Sequence, residues 1–309
     1  MIEITKEEFE KLFRQQQAGP KVSQISSIIV VAATAFIICS RIAFLKSPVY
    51  LILVGGVFLC TTLLFIYAQL YNSKNIPKTM RYESIKIFNR QMSQDVCSDA
   101  TVQMCIDGIR RASQYEERAQ LISCLSCIFL IRGQFSDAIQ AMRSLDCTQF
   151  PSYPRTAMAY YFDLIELYYA MGDMQSVLAV YADAEPFFRK CYQKSYLNCL
   201  GMVGTLVCVH NARGGHQKAL EYQLMRLEIE ERFYEKSNHN PAQNTMLRQY
   251  ITGERYYNTA YQYYLCGDFQ NADKYLKISA PLFGISPYRA NCLNQLAAEI
   301  QRQQNKTDE

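Results

Sequence analysis

The chain of 309 residues contains no tryptophan and only three histidines, and it lacks the short motifs of common active sites. No HExxH zinc motif, GxSxG nucleophile turn or phosphate-binding loop occurs in it. The net charge of +4 is not gathered into a basic stripe, which argues against nucleic acid as a partner. These absences predict that the protein is not an enzyme and binds no cofactor, metal ion or small-molecule substrate.

Twelve cysteines are scattered along the chain, without the spacing of a disulfide framework. Most of them fall in apolar runs of helical period, where a reduced cysteine behaves as a small apolar residue. We therefore expect a cytosolic environment for the soluble part. Cys124 and Cys127 form a C-x-x-C pair, which also occurs in zinc and redox sites. No second ligand pair and no βαβ pattern accompany it, so two small residues on one helix face is the favoured interpretation.

Two uncharged segments near the N-terminus predict a transmembrane helical hairpin. Residues 22–40 would form a helix about 28 Å long at about 1.5 Å per residue, close to the roughly 30 Å of a bilayer core. Residues 49–71 form the second predicted span, so that the hairpin covers 22–73. Neither span contains an acidic or basic side chain, which argues against an ion or proton path and favours an anchor in the lipid bilayer.

Lysine and arginine are more numerous in the segments that flank the hairpin than in the turn within it. By the positive-inside rule, both termini are expected to be cytoplasmic and the protein a multi-pass cell-membrane protein. In the N-terminal tail, residues 1–21, a Thr5–Glu8 capping box and apolar residues at helical spacing predict a short amphipathic helix. It could dock on a membrane or a partner, but an ordinary cytoplasmic tail is the favoured interpretation.

A short phrase recurs four times in the second half of the chain, where a glycine ends one apolar helical run and another run begins. A glycine there suits a tight turn between two helices, because it adopts a positive φ without steric cost. A small residue five positions later would let the second helix lie close to the first. The glycines and their small partners are Gly133 and Ala138, Gly172 and Val177, Gly214 and Ala219, and Gly267 and Ala272.

The phrase resembles tetratricopeptide repeats, which place a small residue and an aromatic before the glycine and an aromatic and an alanine after it. The fourth copy matches best, with Ala260, Tyr263, Gly267, Phe269 and Ala272. The glycines are 39, 42 and 53 residues apart, against about 34 in the family, so these repeats are degenerate. The resemblance implies an all-α fold with a repeat solenoid over 117–304. A helical connector and cap would cover 74–116, and 305–309 would be a disordered tail.

In this family the first helix of each repeat lines a concave groove, so the resemblance implies a set of groove residues. Amides there would bond to a peptide backbone, and rings would cover its side chains. The acidic pair within the set has the opposite sign to the basic clamp that binds chain termini in one subclass. Alternatively, the aromatics fill a closed groove as core. The predicted groove residues are Phe162, Asp163, Glu166, Tyr169, Asn211, Tyr257, Asn258, Tyr261 and Tyr264, with Gln120, Ser123, Cys127, Thr205 and Cys208 also expected to face inward.

Together these features predict an N-terminal transmembrane hairpin that carries a cytoplasmic α-solenoid. The expected function is that of a membrane-anchored scaffold or adaptor, which binds a protein or peptide partner in its concave groove. Two alternatives remain open at this point. The chain could be a structural subunit of a larger membrane complex, or a regulator that responds to a peptide.

Overall fold

The computed structural model describes residues 2–14, 98–237, 246–284 and 286–307. Across these ranges the secondary structure is entirely helical and no strand occurs, which confirms the all-α prediction. The two predicted spans, 22–40 and 49–71, lie outside the described ranges. Within those ranges, no helix combines the length and the apolar character that crossing a membrane requires.

The described helices are numbered here in chain order. Single 3₁₀ turns lie at Cys147–Gln149, Tyr192–Lys194 and Ala280–Leu282. The helices are α1 (6–14), α2 (Asp99–Arg111), α3 (Tyr115–Arg132), α4 (Phe135–Arg143), α5 (Pro154–Met171), α6 (Met174–Cys191), α7 (Tyr196–Ala212), α8 (His216–Ser237), α9 (Met246–Leu265), α10 (Phe269–Ser279) and α11 (Pro287–Thr307).

The chain divides into two compact units. One unit contains Met1–Phe9 and Arg81–Glu309, and the other contains Glu10–Met80. Of the second unit only 10–14 is described, and this stretch is the end of α1. The first unit holds all the helices from α2 to α11.

The four recurring phrases are confirmed as turns between paired helices. Their glycines lie between α3 and α4, α5 and α6, α7 and α8, and α9 and α10. The φ angles are 75° at Gly133, 79° at Gly172, 77° at Gly214 and 79° at Gly267. The small residues five positions later are all fully buried, as the close approach of the two helices requires: Ala138, Val177, Ala219 and Ala272.

An aspartate after the glycine strengthens two of these turns. The Asp173 side chain accepts a hydrogen bond from the Ser176 backbone N–H at 3.0 Å, and Asp268 accepts one from Asn271 at 3.1 Å. Each carboxylate thus caps the first turn of the second helix, where backbone donors lack partners within the helix. In these two copies, therefore, the phrase ends one helix with glycine and begins the next with aspartate within two residues.

The first helices of the first three repeats lie side by side, with α5 between α3 and α7. Helix α8 contacts α9, and α11 packs on both α9 and α10. Helix α11 also contacts α3, so the last helix of the array returns to the first repeat. One apolar core runs through this closure and includes Leu121 and Ile128 from the start, with Tyr257, Leu296 and Ile300 from the end. The repeats therefore form a ring and not an open superhelix.

Two contacts hold the closure in place. The Ser286 hydroxyl donates to the Ile131 carbonyl at 2.6 Å. The Tyr288 ring packs edge to face on Phe135, with 5.2 Å between the ring centroids. A Cβ atom at Gly133 would lie 2.8 Å from the Tyr288 ring, so glycine is needed there for the closure as well as for the turn.

The N-terminal residues are packed, although an ordinary tail was the favoured interpretation. The capping box is present, since the Thr5 hydroxyl accepts from the Glu8 N–H at 3.2 Å and the Glu8 carboxylate accepts from the Thr5 N–H at 3.4 Å. Ile2, Ile4 and Phe9 are buried. These residues lie against α6, α7 and α8 of the same unit.

Candidate concave binding site

The nine predicted groove residues differ in their access to solvent. Asn211 and Tyr257 are buried, and Glu166 is exposed. The other six are half-buried: Phe162, Asp163, Tyr169, Asn258, Tyr261 and Tyr264. Of the further residues expected to face inward, Gln120 and Cys127 are exposed, Ser123 is half-buried, and Thr205 and Cys208 are buried.

A hydrogen-bonded hub around Asn211 joins four helices. Its amide nitrogen donates to the Tyr169 hydroxyl and to the Gln262 side-chain oxygen, each at 2.8 Å. Its amide oxygen lies 2.9 Å from the His216 Nδ1. The hub thereby ties α7 to α5, α8 and α9. Because the Asn211 amide already has its partners within the domain, it holds the repeats in register and does not present a free amide to a peptide.

Several predicted groove rings pack against the protein itself. Phe162 stacks on Phe188, with 5.0 Å between the centroids. Tyr257 lies edge to face with Phe283 at 6.1 Å, and the Arg289 guanidinium lies 5.2 Å from the Tyr257 ring centre. Tyr257 therefore belongs to the core of the closure. This part of the set matches the alternative that the aromatics serve as core.

Tyr261 and Tyr264 are the more accessible rings of the set. They stack on each other with 6.3 Å between their centroids, and Tyr264 also contacts Phe269 at 5.9 Å. Both remain half-buried, so part of each ring is open to solvent. They can supply apolar contact area to a ligand without loss of the core.

Two of the predicted groove residues are carboxylates on α5, Asp163 and Glu166. Asp163 accepts a hydrogen bond from the Ser123 hydroxyl of α3. Loss of hydration, with the nearby negative charge of Glu166, raises the pKa of Asp163 from 3.8 to about 7, although the Ser123 bond opposes this. Asp163 is therefore a mixture of acid and carboxylate near neutral pH.

Glu166 lies where residues of several helices converge. Loss of hydration raises its pKa, and it also experiences the charges of Arg226 of α8, Glu254 of α9 and Arg289 of α11. Its side chain is exposed, although charged groups of three other helices act on it. Glu166 forms no hydrogen bond or ion pair with any residue in the described ranges.

The arginine side chains near Glu166 form ion pairs with other glutamates. Arg226 and Arg255 share the buried carboxylate of Glu230, at 3.4 Å and 2.5 Å. Arg289 forms a two-pronged pair with Glu254, one prong of which measures 2.7 Å. The Arg226 guanidinium lies close to Gly204, and a Cβ atom at Gly204 would be 2.8 Å from it. Within the described ranges Glu166 thus forms no direct ion pair, although the charges of Arg226 and Arg289 act on it.

The thiols around the carboxylates are poor nucleophiles. Loss of hydration raises the pKa of Cys124 to about 11, and it raises the pKa of Cys127 and Cys208 as well. A thiol in this state stays protonated at neutral pH and does not attack a substrate. All nine cysteines of the described ranges are free. In the same ranges no three histidine, cysteine, aspartate or glutamate side chains gather as a metal site would require.

Several residues of the site were missed by sequence reasoning. Gln262 lies one helical turn after Asn258, so extending the same helix face by four residues would have found it. Arg226 belongs to a second helix of a repeat, which the resemblance did not place in the groove. Glu254 and Arg289 join the site only because the ring closes, and no local pattern signals that closure.

Comparisons with known proteins add no relative at this point. The chain matches no model of a protein family, and no curated protein sequence matches it. The function is therefore inferred from the residues of this chain and their geometry.

Proposed function

We propose that this protein is a membrane-anchored scaffold or adaptor. Two N-terminal spans would hold the helical repeat domain at the cytoplasmic face of the cell membrane, and the concave face would bind a segment of a partner protein. Tethering in two dimensions raises the concentration of that partner near the membrane. The observation that carries the proposal is Glu166, an exposed carboxylate that forms no hydrogen bond or direct ion pair with a residue of the described ranges.

The partner segment should bring a cation to this carboxylate. A lysine or arginine side chain opposite Glu166 would restore to this carboxylate the electrostatic stabilisation that it lost with its hydration. The rings of Tyr261 and Tyr264 would flank its apolar stem, since long cationic side chains pack their methylene groups on apolar surface. Binding would then lower the pKa of both α5 carboxyls, so that Asp163 releases a proton near neutral pH.

The packing of the N-terminal residues supports a hairpin anchor. Residues 2–9 contact the repeat domain, and two segments in contact must lie on the same side of a bilayer. An even number of spans between them meets that condition, as the uncharged segments 22–40 and 49–71 would.

A pull-down from detergent-solubilised membranes tests the concave site. The variant Glu166→Gln keeps the size of the side chain and removes its charge. We expect it to lose a partner that the unchanged chain retains. The control is Glu221→Gln, which changes an exposed glutamate that pairs with Lys218 on α8. If both variants retain every partner, the concave face is not the binding site.

The ring closure favours a second candidate, a structural subunit of a larger membrane complex. The Asn211 hub and the contact of α11 with α3 provide these groups with partners inside the domain, so the domain could support a complex without binding a ligand in its groove. In that case a membrane partner should copurify in fixed ratio with Glu166→Gln and with the unchanged chain alike. A chain that carries only residues 1–80 should then retain that partner.

A further inference from the structure

The N-terminal segment, residues 2–9, occupies a surface on α6, α7 and α8, called here the N-terminal groove and formed by Tyr181, Gln193, Tyr196, Tyr222 and Glu228. We propose that this groove is a second peptide-binding site, which the chain's own N-terminus fills. A partner protein would enter it with an extended segment that has apolar residues at alternate positions, followed by a basic residue and an aromatic. This site is separate from the concave face, and the proposal does not depend on that of the previous section.

The groove recognises the main chain of the segment. The Ile2 N–H donates to the Tyr181 hydroxyl at 3.3 Å, and the Ile4 N–H donates to the Tyr222 hydroxyl at 3.4 Å. The two donors are alternate residues of an extended stretch, the spacing with which sheet edges and peptide grooves bind strands. Bonds to main-chain groups are independent of the side chains, so they would form equally with another segment.

The side chains of the extended stretch also alternate. Ile2 and Ile4 are 4% and 5% exposed, whereas Glu3 and Thr5 are exposed. In an extended chain successive side chains point to opposite faces, so one face of the stretch is buried in the groove. The groove therefore selects for two apolar residues and tolerates any residue between them.

The helical half of the segment adds three contacts. Phe9 is fully buried and stacks on Tyr196, with 5.5 Å between the ring centroids. The Lys6 ammonium lies 2.6 Å from the Glu228 carboxylate. The Gln193 amide donates to the Glu8 carboxylate at 2.9 Å. These contacts define the basic and aromatic positions of the expected partner segment.

The occupant is held in a manner that allows exchange. Its two main-chain bonds are long for N–H···O hydrogen bonds. The ion pair of Lys6 with Glu228 is exposed on both sides, and such pairs contribute little. Next to Tyr222, which it stacks on at 5.5 Å, His210 has a buried Nε2 atom that lacks a hydrogen-bond partner among the described residues. Residues 2–9 thus leave one buried polar atom beside the groove without a hydrogen bond.

The test separates the segment from the chain without changing a contact residue. A protease site is inserted between Arg14 and Lys21 of the full chain, which is purified in detergent and then cut. A fluorescent peptide of residues 1–14 is equilibrated overnight with the cut chain, in hundredfold excess over the cut fragment, so that it replaces the fragment. Gel filtration then removes the released fragment and the unbound peptide, and fluorescence anisotropy follows the binding of the labelled peptide to the chain. The control peptide carries Ile4→Asp.

We expect saturable binding of the peptide to the cut chain, at least tenfold tighter than that of the Ile4→Asp peptide. The uncut chain should bind the same peptide 10- to 100-fold more weakly than the cut chain, because its own N-terminus competes at a high local concentration. Equal binding of the two peptides, no binding to the cut chain, or no binding to the uncut chain at 1 mM peptide would each overturn the proposal. The last of these results would make the segment a permanent part of the fold.

A second variant tests the groove itself. Tyr222→Phe removes the hydroxyl that accepts the Ile4 N–H but keeps the ring, so the cut chain should lose 3- to 10-fold in peptide affinity. Tyr256→Phe removes a hydroxyl that bonds Glu231 instead, and it should leave the affinity unchanged. Glu166→Gln should also leave it unchanged, so that failure of this proposal and failure of the concave-site proposal are distinguishable. Equal affinities for Tyr222→Phe and Tyr256→Phe would contradict the assignment of the groove.

Discussion

The concave face and the N-terminal groove use tyrosine hydroxyls in opposite ways. In the concave face the Tyr169 hydroxyl is bound by side chains of the same domain, Asn211 and Gln262. In the groove the hydroxyls of Tyr181 and Tyr222 meet main-chain N–H groups of a chain end. A side-chain hub fixes the packing of helices, whereas main-chain acceptors can serve any extended segment. Only parts of each surface are therefore free to bind a partner, and four pairs of variants test the difference between the two surfaces.

The largest contrast is expected between two fully buried phenylalanines, Phe188 of the array and Phe9 of the N-terminal segment. Phe188→Ala should cost about 4 kcal/mol, as deletion of a core ring does. Phe9→Ala should cost about 1 kcal/mol or less, because the segment can detach while the array stays folded. Urea unfolding followed by circular dichroism measures both. Equal losses would mean that residues 2–9 belong to the cooperative core of the array.

The ring closure can be isolated with two glycines of nearly equal φ. Gly133→Ala and Gly172→Ala should each cost about 1 kcal/mol for the left-handed backbone. Gly133→Ala should cost about 2 kcal/mol more, since its Cβ atom would meet the Tyr288 ring, whereas Gly172 has nothing within 4 Å. Thermal unfolding of the two variants compares them directly. Equal melting temperatures would show that the contact of α11 with the first repeat contributes nothing.

The Asn211 hub should contribute less than the closure. Asn211→Leu would leave the Tyr169 hydroxyl and the Gln262 amide short of a partner, at a cost of about 2 kcal/mol. Asn258→Leu changes a half-buried amide that forms no hydrogen bond with a described residue, so a cost below about 0.5 kcal/mol is expected. Chemical unfolding compares the two. A similar loss of unfolding free energy in both variants would mean that the hydrogen bonds of the hub contribute no more than ordinary packing.

The smallest effect concerns the titration of Asp163. Its folded pKa of about 7 lies above its ordinary value of 3.8, so the folded state prefers the protonated acid. The stability it contributes is complete below about pH 4 and is lost as the pH rises through 7. Asp163→Asn cannot ionise, and it should gain about 1 kcal/mol on the unchanged chain between pH 5 and pH 8, since the half-buried site is partly screened.

The control for that titration is Asp173→Asn. The Asp173 carboxylate accepts hydrogen bonds from Ser176, which lower its pKa, so its removal should give no gain at high pH. Unfolding curves at pH 5 and pH 8 provide the comparison. If the stability of Asp163→Asn changes with pH in the same way as that of Asp173→Asn, the Asp163 side chain is better hydrated than its raised pKa implies.

The helix-turn-helix units could be predicted because they depend on local rules. A glycine with positive φ and a small residue five positions later are properties of neighbouring residues, and they identified all four turns. The closure of α11 on α3 depends on a small rotation that accumulates over every repeat, and no local pattern encodes it. The candidate site has the same limit, because the resemblance to tetratricopeptide repeats implied that Asn211 and Tyr169 face inward but did not predict the hydrogen bond between them.

The N-terminal segment was harder to predict for a different reason. The alternation of Ile2 and Ile4 is too short to separate a docked strand from a polar tail. The capping box was predicted and confirmed because Thr5 and Glu8 meet within one turn. The two membrane spans, 22–40 and 49–71, are predictions that lie outside the described residues.

The ring closure also has a consequence for the order in which the protein can fold during synthesis. Ile131 and its bonding partner Ser286 are 155 residues apart in the chain. At translation rates of about 5–20 residues per second, the first repeat waits roughly 8 to 30 s for the helix that covers it. Open repeat arrays can fold one unit at a time as they emerge from the ribosome. Here the first repeat to be synthesised is covered only when α11 has been made. The apolar edge of that repeat must therefore stay protected in the nascent chain until then.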